Sequence, residues 1–369
     1  MKINYETSIV NLTNALMQHY GLPTKHKTLP EVDRILAKDY DHVVLFCLDG
    51  YGKNLFTLHA EESAFLKRHH VRDITSVYPS TTTAATTALL TGLTPYESGY
   101  FGWFQYFEDL DIHYTVFLQE DYYDKQKAIP KGFHKQYFER KDVFEQIKEK
   151  GTAATRLIFP QRVDKNGGYT SFPEGLKMMR QFQKQNKRTL SYFYAIEPDM
   201  QQHLHGTKAK EVKDMVRFLN AQLAEAKAAM GENTLFIVTA DHGLTDVEPI
   251  NLFDYHDVTC TFRALPANEP RMTNFFIKTD MREYFIRFFE EHFGDFFNLY
   301  TKEEFLMKKM LGHGEKHPLI DVCMGDFIAV AKDRYFFKLS DDKEHKAHHA
   351  GVTDDEMVVP LMFITKDDA

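Results

Sequence analysis

Cysteine is scarce in this sequence, and apolar runs long enough to cross a membrane are missing. The 369 residues include three cysteines, Cys47, Cys260 and Cys323, set far apart in apolar or mixed segments. An odd number of widely spaced cysteines fits reduced, buried thiols better than a disulfide framework or a zinc knot. Residues 1–21 also lack the apolar stretch of a signal peptide. We therefore expect a cytoplasmic protein.

The sequence also lacks an excess of positive charge. Its formal net charge of -8 argues against a nucleic-acid polymer or an anionic membrane as the partner, because both require a basic surface. A small anionic substrate would need a local centre of positive charge. No Ser/Gly linker, internal repeat or low-complexity tract divides the chain, so we expect a compact structure.

The apolar content is sufficient for a large core. Hydrophobic residues make up 43% of the chain, and 31 Phe with 19 Tyr supply large side chains to bury. Apolar runs bounded by turn residues predict buried parallel strands, with helical patterns between them. The strands are predicted at 42–48, 71–78, 152–158, 189–196, 234–240 and 358–364, and helices at 141–150 and 207–230. This alternation predicts an α/β fold with a doubly wound, mostly parallel sheet.

The segment 262–339 has a different pattern and is predicted to be a small inserted α+β cap. It combines an edge-like strand, two helices and a pair of strands, predicted at 274–279, 282–292, 301–311, 326–331 and 335–339. The catalytic core would then consist of residues 1–261 and 340–369.

Acidic and histidine side chains follow several of the predicted strands. Asp49 and the doublet Asp241-His242 come directly after strands, and His349 precedes the last one. Asp199 and His203 are four residues apart, so one helical turn would point both at a single centre. An Asp-Gly turn or a surface Asp/His pair would explain any one of these motifs alone. Together they place three Asp and three His at the strand ends of one sheet, and such ligands suit Zn²⁺ or Mn²⁺.

A cluster of hydroxyl side chains, residues 80–83, follows the predicted strand 71–78 and begins a helix of small residues that ends at Gly92. Hydroxyl groups at a helix start often serve as N-caps. The same position also suits a nucleophile that attacks phosphate, because free backbone N–H groups and the helix dipole favour negative charge there.

The order of these motifs resembles the type I phosphodiesterase/nucleotide pyrophosphatase branch of the alkaline phosphatase superfamily. The resemblance covers most of the chain from about residue 41 and rests on Leu48-Asp49-Gly50, Pro79-Ser80-Thr81-Thr82, Thr91-Gly92-Leu93, Asp199-x-x-x-His203, Asp241-His242-Gly243 and His349-Ala350-Gly351. It implies a core of alkaline phosphatase type and two divalent metal ions, with Zn²⁺ favoured and Mn²⁺ the alternative. One ion would be held by Asp49, Asp241, His242 and the Thr82 oxygen, and the other by Asp199, His203 and His349.

The resemblance further implies that Thr82 is the nucleophile, since the register counted from Thr91-Gly92-Leu93 falls on it. We expect a phospho-threonine intermediate that water later hydrolyses. Three carboxylates against two divalent cations leave a charge of about plus one, which would attract a small phosphate ester such as a nucleotide.

One position departs from the family pattern. Where members of this branch commonly carry an Asn that donates to a phosphoryl oxygen, this chain has Trp103, and Gln105 is a candidate substitute. The aromatic residues around it could stack on a nucleobase, although packing is the favoured role. Two alternatives therefore stay open: a phosphomonoesterase or phosphonate hydrolase of the same superfamily, and a degenerate protein that binds metal or a phospholigand without turnover.

Overall fold

The computed structural model describes residues 3–339 and 345–367, which form two large sheets surrounded by helices. The strands are β1 (His42–Leu48), β2 (His70–Thr75), β3 (Phe104–Phe107), β4 (Ile112–Thr115), β5 (Glu120–Asp121), β6 (Ala154–Ile158), β7 (Thr189–Ala195), β8 (Thr234–Thr239), β9 (Thr245–Asp246), β10 (Glu248–Asn251), β11 (Phe262–Glu269), β12 (Met272–Ile277), β13 (Phe297–Thr301), β14 (Phe327–Ala331), β15 (Tyr335–Lys338), β16 (Ala347–His348) and β17 (Val358–Thr365).

The helices lie mainly between the strands of the first sheet. They are α1 (Ile9–His19), α2 (Pro30–Leu36), α3 (Leu55–Leu58), α4 (Ala64–Arg68), α5 (Thr82–Thr91), α6 (Pro95–Ser98), α7 (Phe133–Tyr137), α8 (Val143–Lys150), α9 (Phe172–Gln185), α10 (Asp199–His205), α11 (Lys210–Ala228), α12 (His256–Thr259), α13 (Arg282–Phe293), α14 (Lys302–Met307), α15 (Leu319–Cys323) and α16 (Asp354–Met357). Short 3-10 helices cover Glu108–Leu110, Leu252–Asp254 and Thr279–Met281.

The first sheet has the strand order β2-β17-β8-β1-β7-β6 and confirms the predicted α/β class. Strand β1 lies in its middle and pairs in parallel with β7 and β8. Every residue of β7 and β8 is buried, which explains their nearly continuous apolar sequences. This parallel arrangement brings the ends of β1, β7 and β8 to one edge of the sheet, where the functional residues follow.

Strand β17 was predicted to be parallel, and that prediction is wrong. It pairs antiparallel with both β8 and β2. The physical reason is the short connection before it: His349 lies at the edge where the parallel strands end, and β17 begins at Val358. So short a segment cannot cross the sheet, because a parallel connection needs a dozen or more residues, and the strand must run back from that edge.

Helix α5 has clear local reasons to begin and end where it does. Its N-cap Thr81 is extended, and its C-cap Gly92 has a left-handed φ of 69°, a conformation that glycine adopts without steric cost. Helix α8 is similarly bounded, since Asp142 accepts a hydrogen bond from the Glu145 amide and Gly151 has a φ of 76°. The start of α5 places Thr82 at the edge described above.

The second sheet has the order β13-β14-β12-β11-β3-β4-β5 and extends beyond the segment predicted as a cap. Strand β12 lies between β11 and β14, so the prediction of an edge-like strand is wrong. Strand β15 pairs with β10 and not with β14, which corrects the predicted strand pair. Strands β3 to β5 join the same sheet from earlier in the chain. The division into a core and a 262–339 cap stays a prediction, and its second boundary borders residues outside the described ranges.

Cys47 and Cys323 are buried free thiols, as predicted, whereas Cys260 is exposed at the end of α12. The prediction of a buried thiol is therefore wrong at this position, where the mixed sequence around it gave no clear pattern. Within residues 3–339 and 345–367, no helix is both long and apolar enough to cross a bilayer.

Candidate active site

Three carboxylates meet at the edge where β1, β7 and β8 end. Asp49 follows β1, Asp199 begins α10 after β7, and Asp241 follows β8. The backbone joins them directly, since the Asp49 amide donates to the Ala195 carbonyl at 2.8 Å and the Asp199 amide donates to the Asp49 carbonyl at 3.0 Å. The Gly50 amide donates to Asp241 Oδ1 at 3.2 Å. Parallel strand ends therefore bring distant acidic residues into one cluster.

Two groups of side chains in this cluster have a spacing that suits metal ions. Ligand atoms of Asp49, Asp199 and His242 all lie within 4.8 Å of one another, and so do those of Asp199, His203 and His349. His203 Nε2 is 3.4 Å from Asp199 Oδ1 across one turn of α10. The His242 Nε2 atom is 3.4 Å from Asp49 Oδ1 and 3.5 Å from Asp241 Oδ2. The six predicted acidic and histidine ligands are thus brought together.

Thr82 faces the same cluster from the start of α5. Its Oγ1 atom is 3.2 Å from His242 Nε2 and its side chain is largely buried. The neighbouring hydroxyls point elsewhere: Ser80 donates to the Gly351 carbonyl at 3.0 Å, and Thr83 donates to the Gly102 carbonyl at 2.8 Å. The structure thus distinguishes Thr82 from the flanking hydroxyl residues.

The buried carboxyl and imidazole groups of the cluster favour the binding of cations. Burial, with the neighbouring Asp241 carboxylate, raises the pKa of Asp49 and of Asp199 well above the ordinary value. Burial lowers the pKa of His203 to about 3 and also lowers that of His242 and His349, so these imidazoles are neutral. Divalent ions bind neutral imidazoles and deprotonated carboxylates.

Unpaired polar atoms give a second reason to place cations here. Four buried atoms of the cluster make no hydrogen bond within the described residues: Asp49 Oδ1, Asp199 Oδ1, Asp241 Oδ2 and His349 Nδ1. A buried polar atom without a partner is costly, and a bound cation would relieve that cost. The donor set of carboxylate oxygens and imidazole nitrogens therefore fits divalent metal ions.

Several side chains that support these residues are not evident from the sequence. Tyr194, on β7, donates its hydroxyl hydrogen to Asp49 Oδ2. Glu356 and Arg271 form a fully buried ion pair, in which Arg271 Nε is 2.6 Å from Glu356 Oε1. A tyrosine in a buried apolar strand and a glutamate in an acidic stretch carry no special pattern, because their partners are distant in sequence.

The region around Trp103 serves packing. Phe101, Phe104 and Tyr106 are buried, in accord with the favoured role of the aromatic cluster. Gln105 is also buried, and its Oε1 accepts a hydrogen bond from the Phe101 amide at 3.3 Å. Its described contacts do not include Thr82, so the suggestion that Gln105 replaces the family Asn gains no support. The Trp103 amide itself donates to Glu269 Oε1 at 2.6 Å.

This α/β fold, with Asp, His and Thr at one sheet edge, is the arrangement that the resemblance to the alkaline phosphatase superfamily implied. Residues 43–353 match the family model described as type I phosphodiesterase / nucleotide pyrophosphatase. The chain therefore belongs to that family, which supports an enzyme that hydrolyses phosphodiesters or pyrophosphates.

Solved structures show the same fold at low sequence identity. Murine ectonucleotide pyrophosphatase / phosphodiesterase 5, solved as an inactive variant in complex with AMP, matches with a TM-score of 0.66 and 18% identity, over 87% of each chain. The human ectonucleotide pyrophosphatase / phosphodiesterase 5 matches with a TM-score of 0.64 and 16% identity, also over 87% of each chain. No curated protein matched this chain.

Proposed function

We propose that this protein is a two-metal phosphodiesterase or nucleotide pyrophosphatase in which Thr82 is the nucleophile. Family membership supports the reaction class. The proposal that Thr82 is the nucleophile rests on the position of this residue at the start of α5, where its Oγ1 atom is 3.2 Å from His242 Nε2. Free backbone N–H groups in the first turn of a helix favour the negative charge that a phosphoryl group brings.

Two groups of residues would hold the ions. Asp49, Asp241, His242 and the Thr82 oxygen form the first group, and Asp199, His203 and His349 form the second. Divalent ions there supply Lewis acidity, which lowers the pKa of the Thr82 hydroxyl and neutralises charge on the phosphoryl oxygens. Zn²⁺ is the favoured ion for this mixture of ligands, and Mn²⁺ is the alternative.

The chain's own residues then perform a double displacement. Thr82 loses its proton to solvent, its Oγ1 forms a bond to phosphorus, and the ester oxygen leaves and takes up a proton from solvent. Water next attacks phosphorus, breaks the bond to Oγ1 and returns a proton to Thr82. One phosphodiester and one water thus yield a phosphate monoester and an alcohol, or two phosphates from a pyrophosphate.

A nucleotide is the substrate class we propose. Its support is the murine neighbour, which was solved in complex with AMP. The excess positive charge of two divalent ions over three carboxylates would attract the phosphate group.

The test is turnover of bis-p-nitrophenyl phosphate beside p-nitrophenyl phosphate by metal-stripped protein reloaded with Zn²⁺ or Mn²⁺. We expect metal-dependent turnover that favours the diester. Thr82→Ala should lower kcat by about a thousandfold or more, whereas Thr87→Ala, later on the same helix, should retain activity. Preference for the monoester would indicate a phosphatase, and metal-independent or absent turnover in the wild type would contradict the proposal.

A further inference from the structure

A third group of possible metal ligands lies beside the proposed two-metal site. Ligand atoms of His203, His345 and His348 lie within 4.8 Å of one another. The ring centroids of His203 and His345 are 4.5 Å apart, and those of His345 and His348 are 5.1 Å apart. Neither His345 nor His348 has a role in the proposed reaction. His345 stands outside every motif that the sequence analysis singled out.

The segment that carries the two additional histidines is fixed against α10. The Lys346 amide donates to the His203 carbonyl at 2.8 Å, and His203 Nδ1 lies 2.8 Å from the Ala347 carbonyl oxygen. Strand β16, which includes His348, pairs antiparallel with β9. The three imidazoles are therefore brought together by backbone contacts.

Main-chain contacts also select the nitrogen that each ring offers. His203 Nδ1 is bound to the Ala347 carbonyl, and His348 Nδ1 is 2.9 Å from the His349 amide nitrogen. In both rings the Nε2 atom remains for an ion. Metal-binding histidines are commonly oriented in this way, through a contact of the second nitrogen with the backbone.

The three-histidine group shares His203 with the proposed metal position formed by Asp199, His203 and His349. We call the position formed by Asp199, His203 and His349 the inner position, and the one formed by His203, His345 and His348 the outer position. His345 is partly exposed, whereas His348 and His349 are only 5% and 6% exposed. The outer position is therefore open to solvent at His345.

We propose that His203, His345 and His348 form an outer zinc position, from which an ion passes inward by exchanging His345 and His348 for Asp199 and His349 while His203 stays bound. This inference rests on the proposed two-metal site. Three neutral nitrogens leave the full charge of the ion uncompensated, and the Asp199 carboxylate of the inner position offsets part of it, so the transfer is directed inward. Imidazole ligands favour Zn²⁺, whereas Mn²⁺ prefers oxygen ligands, so the outer position selects zinc.

The experiment follows zinc uptake by the metal-stripped full chain with a zinc-sensitive fluorescent indicator in a stopped-flow instrument. The wild type and His345→Ala/His348→Ala should both reach two zinc ions per chain, measured by atomic absorption. Uptake of one of these ions should be about tenfold or more slower in the double variant, and uptake of Mn²⁺ should change little. The matched control is His205→Ala/His256→Ala, which removes two exposed histidines outside the group and should load zinc at the wild-type rate.

A second variant tests the outer position at equilibrium. Asp199→Asn/His349→Ala removes two ligands of the inner position. This variant should still bind a Co²⁺ ion with the visible spectrum of a nitrogen-rich tetrahedral site. Adding His345→Ala to it should abolish that spectrum.

Unchanged zinc uptake in His345→Ala/His348→Ala, or loss of one ion from it at equilibrium, would overturn the transfer while leaving the proposed function intact. A wild-type chain that takes up no zinc would contradict both proposals.

Discussion

At the scale of single residues, Tyr194 restrains a proposed metal ligand. Its hydroxyl donates to Asp49 Oδ2 and leaves Oδ1, which makes no hydrogen bond within the described residues, for an ion. Both side chains are nearly inaccessible to solvent. Loss of a group that orients a metal ligand in this way commonly weakens metal binding.

Tyr194→Phe should therefore weaken zinc binding by about ten- to a hundredfold, because Asp49 loses the contact that orients it. Competition against a chelator of known affinity measures this change. Tyr51→Phe is the matched control, since it removes a buried hydroxyl that donates at 2.9 Å to Ser63 Oγ, and Ser63 is not a proposed metal ligand. Equal zinc affinity in the wild type and Tyr194→Phe would show that the contact has no role in binding.

The buried carboxyl group of Glu269 should make the free energy of unfolding depend on pH. The carboxyl is 1% exposed, and burial raises its pKa from 4.5 to about 8, against the opposing effects of the Thr81 side chain and the Trp103 amide. Thr81 Oγ1 itself makes no hydrogen bond of ordinary geometry within the described residues. Between these two pKa values the folded protein holds a proton that the unfolded chain releases, so the stabilising contribution is lost as pH rises from about 5 to about 8.

The free energy of unfolding of the wild type, relative to Glu269→Gln, should therefore fall across that pH range, by about 1.4 kcal/mol for each unit of pKa difference. Urea unfolding at several pH values measures the difference. The metal ligands are the same in both proteins, so their titration cancels. A constant difference from pH 5 to pH 8 would contradict the raised pKa.

The sequence was sufficient to predict which Asp and His residues the structure brings together, because their motifs are local. Asp49 and Asp241 directly follow strands, and Asp199 and His203 share one helical turn, so strand position and helical spacing were sufficient. Tyr194 and Glu269 could not be found in this way. Each matters through a contact with a residue far along the chain, and single-sequence periodicity contains no information on such contacts.

At the scale of elements, the short helix α16 ties together loops that carry proposed ligands. The Glu356 carbonyl accepts a hydrogen bond from the Gly243 amide at 2.9 Å, beside His242. Its carboxylate accepts one from the Gly351 amide at 2.8 Å, two residues after His349. A Cβ atom at Gly243 would lie 2.1 Å from the Asp355 carbonyl oxygen, so only glycine permits this approach. Arg271 joins the second sheet to this helix through Glu356.

Arg271→Met should lower the free energy of unfolding by about 3–5 kcal/mol, because it leaves the buried Glu356 carboxylate without its counter-charge. Denaturant unfolding measures the loss. The control is Arg334→Met, which removes an exposed partner of Glu248 at 3.1 Å and should cost about 1 kcal/mol or less. A loss for Arg271→Met no larger than the control's would show that this pair does not stabilise the fold.

The sequence predicted most strands of the first sheet but not all of its pairing. Continuous apolar runs identify buried strands whatever their direction, which is why β17 was found and its direction was not. In the second sheet, β15 leaves its neighbour β14 to pair with β10. Such choices depend on how whole sheets pack, and local propensity does not determine them.

At the scale of the whole molecule, the three clustered carboxylates predict that bound ions stabilise the fold. Two divalent ions that bind the folded chain alone would stabilise it by about 2.7 kcal/mol each at a concentration a hundred times the dissociation constant. Removal of metal by a chelator should therefore lower Tm by several degrees, and added Zn²⁺ should restore it. Differential scanning calorimetry measures the shift, and identical Tm values with and without chelator would argue against ions at this site.

The position of β17 has a consequence for biosynthesis. This strand lies between β2 and β8, yet it follows every other described strand in chain order, and His349 comes shortly before it. A nascent chain can pair β1, β7 and β8 once β8 has left the ribosome, but a gap beside β8 stays open until Val358–Thr365 has also emerged. His349 would therefore join the other proposed ligands only after strands β11 to β15 have been synthesised.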